Sequence, residues 1–200
     1  MATAARTQLL TFTDFCVLTG DRKADLIDGV IYMASPDNTE GNDLFGWLFS
    51  IMKFFVAARD LGKLYGSRVA FRLDDANGPE PDIAFVRKDR LHLVHRGFVQ
   101  GPADLAVEIV SPESVDRDYI KKRRQYERAG FTEYWILDPL EQKVTLLRLS
   151  ARGKYREVRP RRGELHSEAL PGFWLRPEWL WQDPLPNPAS IFAEVLSRSE

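Results

Sequence analysis

Leu105-Ala106-Val107-Glu108-Ile109-Val110-Ser111-Pro112, followed six residues on by Asp118-Tyr119-Ile120-Lys121-Lys122-Arg123-Arg124-Gln125-Tyr126-Glu127-Arg128-Ala129-Gly130, decides how this chain is read. From Asp104 to Val110 the run is nearly continuously apolar, the pattern of a strand covered on both faces. Pro112 stops it. Residues 118–129 read as a helix that Gly130 terminates. Glu108 is the only ionisable side chain between Leu105 and Val110. A carboxylate inside a buried strand is costly unless it is paired, protonated or bound to a metal. An edge strand with Glu108 facing water, or a structural salt bridge, is the plainer alternative. On the helix, Tyr119, Lys122, Tyr126 and Ala129 are spaced by three, four and three, so they share one stripe that faces the core. Lys122 therefore points inward beside two tyrosines, unless it snorkels along the sheet to water. Lys121 and Arg124 fall off the stripe and read as solvated charges.

Upstream, Ile83 to Val86 is a short apolar strand entered through Glu80-Pro81-Asp82. Pro81 cannot donate to a ladder, so pairing begins at or after Asp82. A carboxylate there is either an ordinary turn residue or one aimed at the strand's mouth. Residues 11–18 predict a helix capped by Thr11 or Thr13. Residues 25–32 predict a hairpin with Asp28-Gly29 as its positive-φ pair, ended by Ser35-Pro36-Asp37-Asn38. Leu44, Trp47, Leu48, Ile51, Phe55 and Ala58 recur at helical spacing over residues 41–60, with Gly62 closing the helix. Residues 65–73 predict a strand and residues 91–101 a loop with a helical turn. Downstream, residues 133–137 and 144–149 form a strand pair around Asp138-Pro139. Residues 155–158, a Trp-rich segment over 173–181 and a helix over 188–196 complete the chain. The fold class is α/β: one mixed sheet flanked by helices, in a single domain spanning residues 1–200 with a core over 25–149 and an extension over 150–200.

Composition bounds the chemistry. Of the 200 residues, 44% are hydrophobic and 28% charged, ordinary for a soluble globular chain. Four of the five Trp lie between Trp135 and Trp181, which predicts bulky packing in the C-terminal half. The formal net charge of −1 argues against an avid, general DNA coat protein but leaves room for an enzyme with a local basic rim. Cys16 is the single cysteine, so an intrachain disulfide and a cysteine-based zinc cluster are both excluded. A cytoplasmic location is expected: residues 1–10 show no secretory pattern, and no run approaches the ~20 apolar residues of a membrane helix.

Two acidic groups at the ends of neighbouring strands suit a hard divalent cation bound through oxygen ligands. A lysine arriving from the next helix can orient or deprotonate an attacking water, or neutralise charge building on a phosphate. Pro81-Asp82, then Glu108-Ile109-Val110, then Lys122 resembles the PD-(D/E)XK nuclease superfamily. It is most similar to a bacterial, restriction-endonuclease-like branch in which the lysine has left the strand, here Val110, for the following helix. The resemblance runs from about Asp25 to Leu149. It includes Leu26-Ile27-Asp28-Gly29, Ser35-Pro36, Val107-Glu108-Ile109-Val110-Ser111-Pro112 and Tyr126-Glu127-Arg128-Ala129-Gly130 followed by Glu133-Tyr134-Trp135-Ile136.

The resemblance implies a restriction-endonuclease-like core, with Mg2+ or Mn2+ held by Asp82 and Glu108 and the backbone carbonyl of Ile109 as a further ligand. It also implies catalysis by Asp82, Glu108 and Lys122 on a nucleic acid phosphodiester, DNA before RNA. Asp25 and Tyr126 are accessory candidates. The chain departs from the family pattern at Asp25, where Glu is frequent, at Ala24, where Tyr is usual, and at Gly41, where His is frequent. A homodimer is expected by analogy, because two sites can then address opposite strands. A silent binding or regulatory module on the same fold is the rival expectation. A structural subunit that self-associates through its aromatic C-terminal part is a third. His92, His95 and His166 read as surface histidines. Glu113, Asp116 and Asp118 read as capping residues of the helix.

Overall fold

The computed structural model describes residues 9–36 and 38–198. Asp37, in the turn expected at 35–38, and residues 1–8 of the N-terminal stretch read for a signal lie outside them. Thr11 caps α1 (Phe12–Thr19): its hydroxyl accepts from the Asp14 N–H while the Asp14 carboxylate accepts from the Thr11 N–H. Together these satisfy two otherwise orphaned donors. The hairpin forms as expected, β1 (Ala24–Ile27) against β2 (Val30–Met33), and Asp28 and Gly29 both have positive φ. The long helix is α2 (Thr39–Ala58), which buries Leu44, Trp47, Leu48, Ile51, Met52, Phe55 and Val56 on one face. Each large apolar side chain so covered contributes about 1.5–3 kcal/mol.

Three expectations are corrected here. Gly62 does not close α2, which ends at Ala58; it begins β3 (Gly62–Gly66). At φ 149° its backbone passes so close to the Val86 carbonyl that a Cβ would collide with it. The single strand expected over 65–73 is two, β3 and β4 (Ala70–Arg72), in different sheets. Arg68, at φ 71°, turns the chain between them. The third lies beyond β5 (Ile83–Arg87), in the segment expected as a loop with a helical turn, where the turn is present but a strand follows it. It contains a 3-10 turn (Lys88–Leu93) and then β6 (Phe98–Gln100), which pairs in parallel with β4.

β7 (Leu105–Ile109) runs into a π-helical turn (Arg117–Lys122) continued by α3 (Arg123–Ala129), then β8 (Glu133–Asp138). β9 (Lys143–Leu149) and β10 (Tyr155–Val158) follow as antiparallel neighbours. The main sheet has the order β10-β9-β8-β7-β5-β3, and only β7 and β8 are parallel, joined by the helical crossover. β7 is therefore central, which removes the edge-strand reading of Glu108. Along β7 the side chains alternate. Leu105 and Val107 join the core under α2, whereas Ala106 and Val110 join the core that contains Tyr126 of α3. Glu108 falls on the second face by the same period of two.

β11 (Leu165–His166), β12 (Trp174–Leu175) and α4 (Pro188–Ser197) pack into the core on the α2 side. Phe173 there meets Phe55 edge-on with ring centroids 5.3 Å apart and lies 6.2 Å from Trp135. The bulky C-terminal packing expected from the tryptophans is thus continuous with the sheet. No helix among the described residues is long and apolar enough to cross a membrane.

Candidate functional site

β5 and β7 pair antiparallel with Ile83 opposite Val107 and Ala84 opposite Ala106. One step further along that register puts Asp82 opposite Glu108. Neither position is free to drift, because Oδ2 of Asp82 accepts the Ile109 N–H at 2.7 Å. The sheet thus sets two carboxylates side by side on one face, where like charges repel unless something neutralises them.

The π-helical turn and the residue before β1 supply the neutralising charge, and α3 adds a hydroxyl donor. From the π-helical turn, Lys122 places its ammonium 2.9 Å from Oε2 of Glu108 and 2.9 Å from Oδ2 of Asp25, with Asp118 at 3.8 Å. Its side chain is 2% exposed, so the stripe reading holds and the snorkelling alternative does not. Tyr126, one turn on, donates to Oε1 of Glu108 at 2.5 Å. That ring is itself fixed between Phe131, stacked at 4.2 Å, and Tyr134, edge-on at 4.8 Å. Arg117 lies 3.6 Å from Asp25, and its Nε has no hydrogen-bond partner. Lys23, just before β1 and lining the same cleft, forms an ion pair with Oδ1 of Asp82.

Asp25 is more than an outlying accessory. It is buried in β1, where it accepts the Glu80 N–H at 3.0 Å and the Lys122 ammonium. Gln125 ties α3 to the same hairpin by donating to the Leu26 carbonyl at 3.0 Å and to Asn77 at 2.7 Å. The expected residues Asp25, Asp82, Glu108, Ile109 and Lys122 all line one open cleft, and Tyr126 reaches it through Glu108. His92, His95 and His166 are exposed.

The sequence reading missed Asp118 and Lys23. The sequence reads Asp118 as a capping residue, but helical geometry starts ahead of it and the residue is buried. It accepts from the Ser114 hydroxyl at 2.5 Å and keeps Oδ1 without a hydrogen-bond partner. The Asp118–Lys122 spacing of four, on a face already read as buried, was the available signal. Lys23 carries no such signal, since its partner is 59 residues away.

Burial is the largest influence on these groups and raises the proton affinity of Glu108, against the pull of Lys122 and with the help of Asp82, Asp118 and Asp25. Asp118 shifts upward for the same first reason. Glu80, which accepts the Ala24 N–H, is pushed up to about 7, chiefly by burial. Asp82 goes the other way: burial opposes the shift, but Lys23, Lys122 and the Ile109 N–H together lower it. Lys122 is desolvated too, yet Asp25, Glu108, Asp118 and Asp82 hold it well above the usual lysine range. It is a fixed cation at neutral pH.

Among the described residues no three His, Cys, Asp or Glu side chains converge as a ready-made metal cage. Asp82 and Glu108 would suit a hard cation of the kind that takes one or two protein carboxylates and fills the rest of its shell with water and phosphate oxygens.

A search of curated proteins returns no match. A solved structure that is similar is a crystal structure of "a putative nuclease belonging to DUF820 from Anabaena variabilis ATCC 29413". It shares 17% sequence identity and superposes with a TM-score of 0.70, covering 86% of this chain and 97% of that one. At that identity the likeness speaks for the fold alone, a mixed sheet flanked by helices. Residues 10–178 match the family model of Uma2, described as "Putative restriction endonuclease", in agreement with the PD-(D/E)XK resemblance. On that match the chain belongs to the Uma2 family.

Proposed function

We propose that this chain is a divalent-metal-dependent nuclease that hydrolyses nucleic acid phosphodiester bonds, with DNA as the first substrate to test. The observation that carries the reading is the placement of Asp82 directly across the sheet from Glu108, in a cleft that also holds the buried Lys122 ammonium. Asp82 and Glu108 would hold Mg2+ or Mn2+, with the Ile109 carbonyl as a further ligand. Such a cation, when bound, supplies Lewis-acid stabilisation of charge on the phosphoryl oxygens.

The chain's own groups divide the remaining work. Lys122 opposes the burial that raises the proton affinity of Glu108, orients its carboxylate and stands as a preorganised positive charge beside the acid pair. Being a strongly held ammonium, it is a poor proton acceptor. Asp118 is the better candidate to receive the proton of the attacking water, because the residue lines the cleft and its Oδ1, 3.8 Å from the Lys122 ammonium, has no hydrogen-bond partner among the described residues. Arg117, lining the same cleft, would neutralise the phosphate as it enters. Tyr126 fixes the Glu108 carboxylate. A homodimer would place two such clefts against opposite strands of a duplex.

The test of the metal site is thermal unfolding with and without Mn2+, for wild type and Glu108→Ala. A cation at 100 times its Kd adds about 2.7 kcal/mol of stability, and the variant should lose that gain. A second reading, a catalytically silent module on the same fold, draws on one observation. All four oxygens of Asp82 and Glu108 are already engaged by Lys23, Ile109, Tyr126 and Lys122. It predicts no metal-induced stabilisation in either protein.

A further inference from the structure

We infer that Lys23 is an internal counter-cation that a metal ion must displace from Asp82, so that this side chain sets the metal affinity of the site. The inference rests on the proposed metal-dependent function and deepens it. Lys122 and Lys23 treat the acid pair differently. Lys122 is enclosed, reaches Glu108 from the π-helical turn and shares its charge with Asp25 and Asp118. Lys23 also lines the cleft and, among the described carboxylates, pairs with Asp82 alone. Its side chain is 21% exposed, against 2% for Lys122, so it has somewhere to go.

The oxygen that Lys23 occupies is the one a cation would use. Oδ2 of Asp82 is bound to the Ile109 N–H within the sheet, which leaves Oδ1 as the cleft-facing donor. A divalent ion at Oδ1 and an ammonium on the same atom repel strongly at this range. One of them leaves, and the ammonium is the mobile partner. The Lys23 carbonyl is pinned by the Ala34 N–H at 3.1 Å, so the exchange is a side-chain swing about a fixed backbone. The Ser67 hydroxyl, 3.5 Å from the ammonium and also lining the cleft, is a neutral polar partner already within its reach. In the metal-free protein the ion pair does a second job: it relieves the repulsion between Asp82 and Glu108 that the sheet register imposes.

Titration of Mn2+ followed by the loss of the free-ion electron paramagnetic resonance signal tests this on wild type, Lys23→Met and Asp82→Asn. Thermal unfolding in chelator is run on the same three proteins. Lys23→Gln, whose amide still reaches Asp82, serves as the control for correct folding. The expected result is a lower Tm for Lys23→Met in chelator together with Mn2+ affinity at least tenfold tighter than wild type. Asp82→Asn should bind at least tenfold more weakly. Mn2+ binding by wild type with equal or weaker binding by both Lys23 variants overturns this inference alone. Absence of binding in every protein overturns the functional reading and the inference with it.

Discussion

Asp82 and Glu108 stand opposite each other on β5 and β7, one step past the last paired residues, and the Ile109 N–H locks the Asp82 carboxylate into that position. A sheet that sets two acids together in a partly buried place invests stability in keeping them there, through Lys122 and Tyr126 at Glu108 and Lys23 at Asp82. The interactions are separable by mutation.

Lys122→Met leaves Glu108, Asp25 and Asp118 without their shared cation. Removing one partner of a buried ion pair costs about 3–5 kcal/mol. Urea unfolding of the metal-free protein should show a loss of that size, and a loss below about 1 kcal/mol would contradict the burial and pairing described.

Tyr126→Phe removes one hydrogen bond to an ionisable buried group and nothing else of comparable size. The expected loss is about 1.5–3 kcal/mol. Cleavage should slow while Mn2+ affinity stays within a few fold of wild type, because both carboxylates remain. An unchanged rate would show that Tyr126 does not orient Glu108.

Asp118→Asn keeps the shape of the site but removes a proton acceptor. The turnover rate should fall at least a hundredfold, the usual size of a general-base contribution being about 10²–10⁴, while Mn2+ binding persists. If the variant instead loses metal binding and keeps its rate with excess metal, Asp118 is a ligand and not a base.

Glu80 gives a pH signature. Its folded pKa, raised to about 7 by burial, exceeds the ordinary 4.5 of a glutamate in the unfolded chain. Between those values the native state holds more protons, so stability falls as pH rises through the window. Wild type compared with Glu80→Gln should lose on the order of 2–3 kcal/mol more between pH 4.5 and 7. Equal pH slopes for the two proteins would contradict the assignment.

The C-terminal extension offers a test of domain organisation. Phe173 is fully buried against Phe55 and Trp135. Phe173→Ala should cost about 3–5 kcal/mol and lower the midpoint of one transition for the whole chain. Two separated transitions would show that residues 150–200 fold apart from the core.

Much of this arrangement was legible before any coordinates, for particular reasons. Glu108 stood out because a lone carboxylate in a buried strand has to be compensated, and Lys122 because spacings of three and four put it on an apolar stripe. Asp82 was marked only by the proline before it. Their meeting needs the register of β5 against β7, which no local pattern encodes. Asp118 looked like a cap because the helix start was placed too late. Lys23 was invisible because its role depends on a partner far along the chain. The split of β3 from β4 turned on the positive φ of Arg68, a conformation that arginine does not advertise. β6 is three residues long and pairs with another strand of three, too short for periodicity to register.

The central claim is met most directly by a cleavage assay. Supercoiled plasmid and single-stranded DNA are incubated with Mg2+, Mn2+ or chelator, and with wild type, Glu108→Gln or Lys122→Met, each variant first confirmed folded. The account predicts cleavage by wild type that requires the metal and falls at least a hundredfold in both variants. Cleavage that persists in chelator, or that Glu108→Gln and Lys122→Met retain in full, would contradict it.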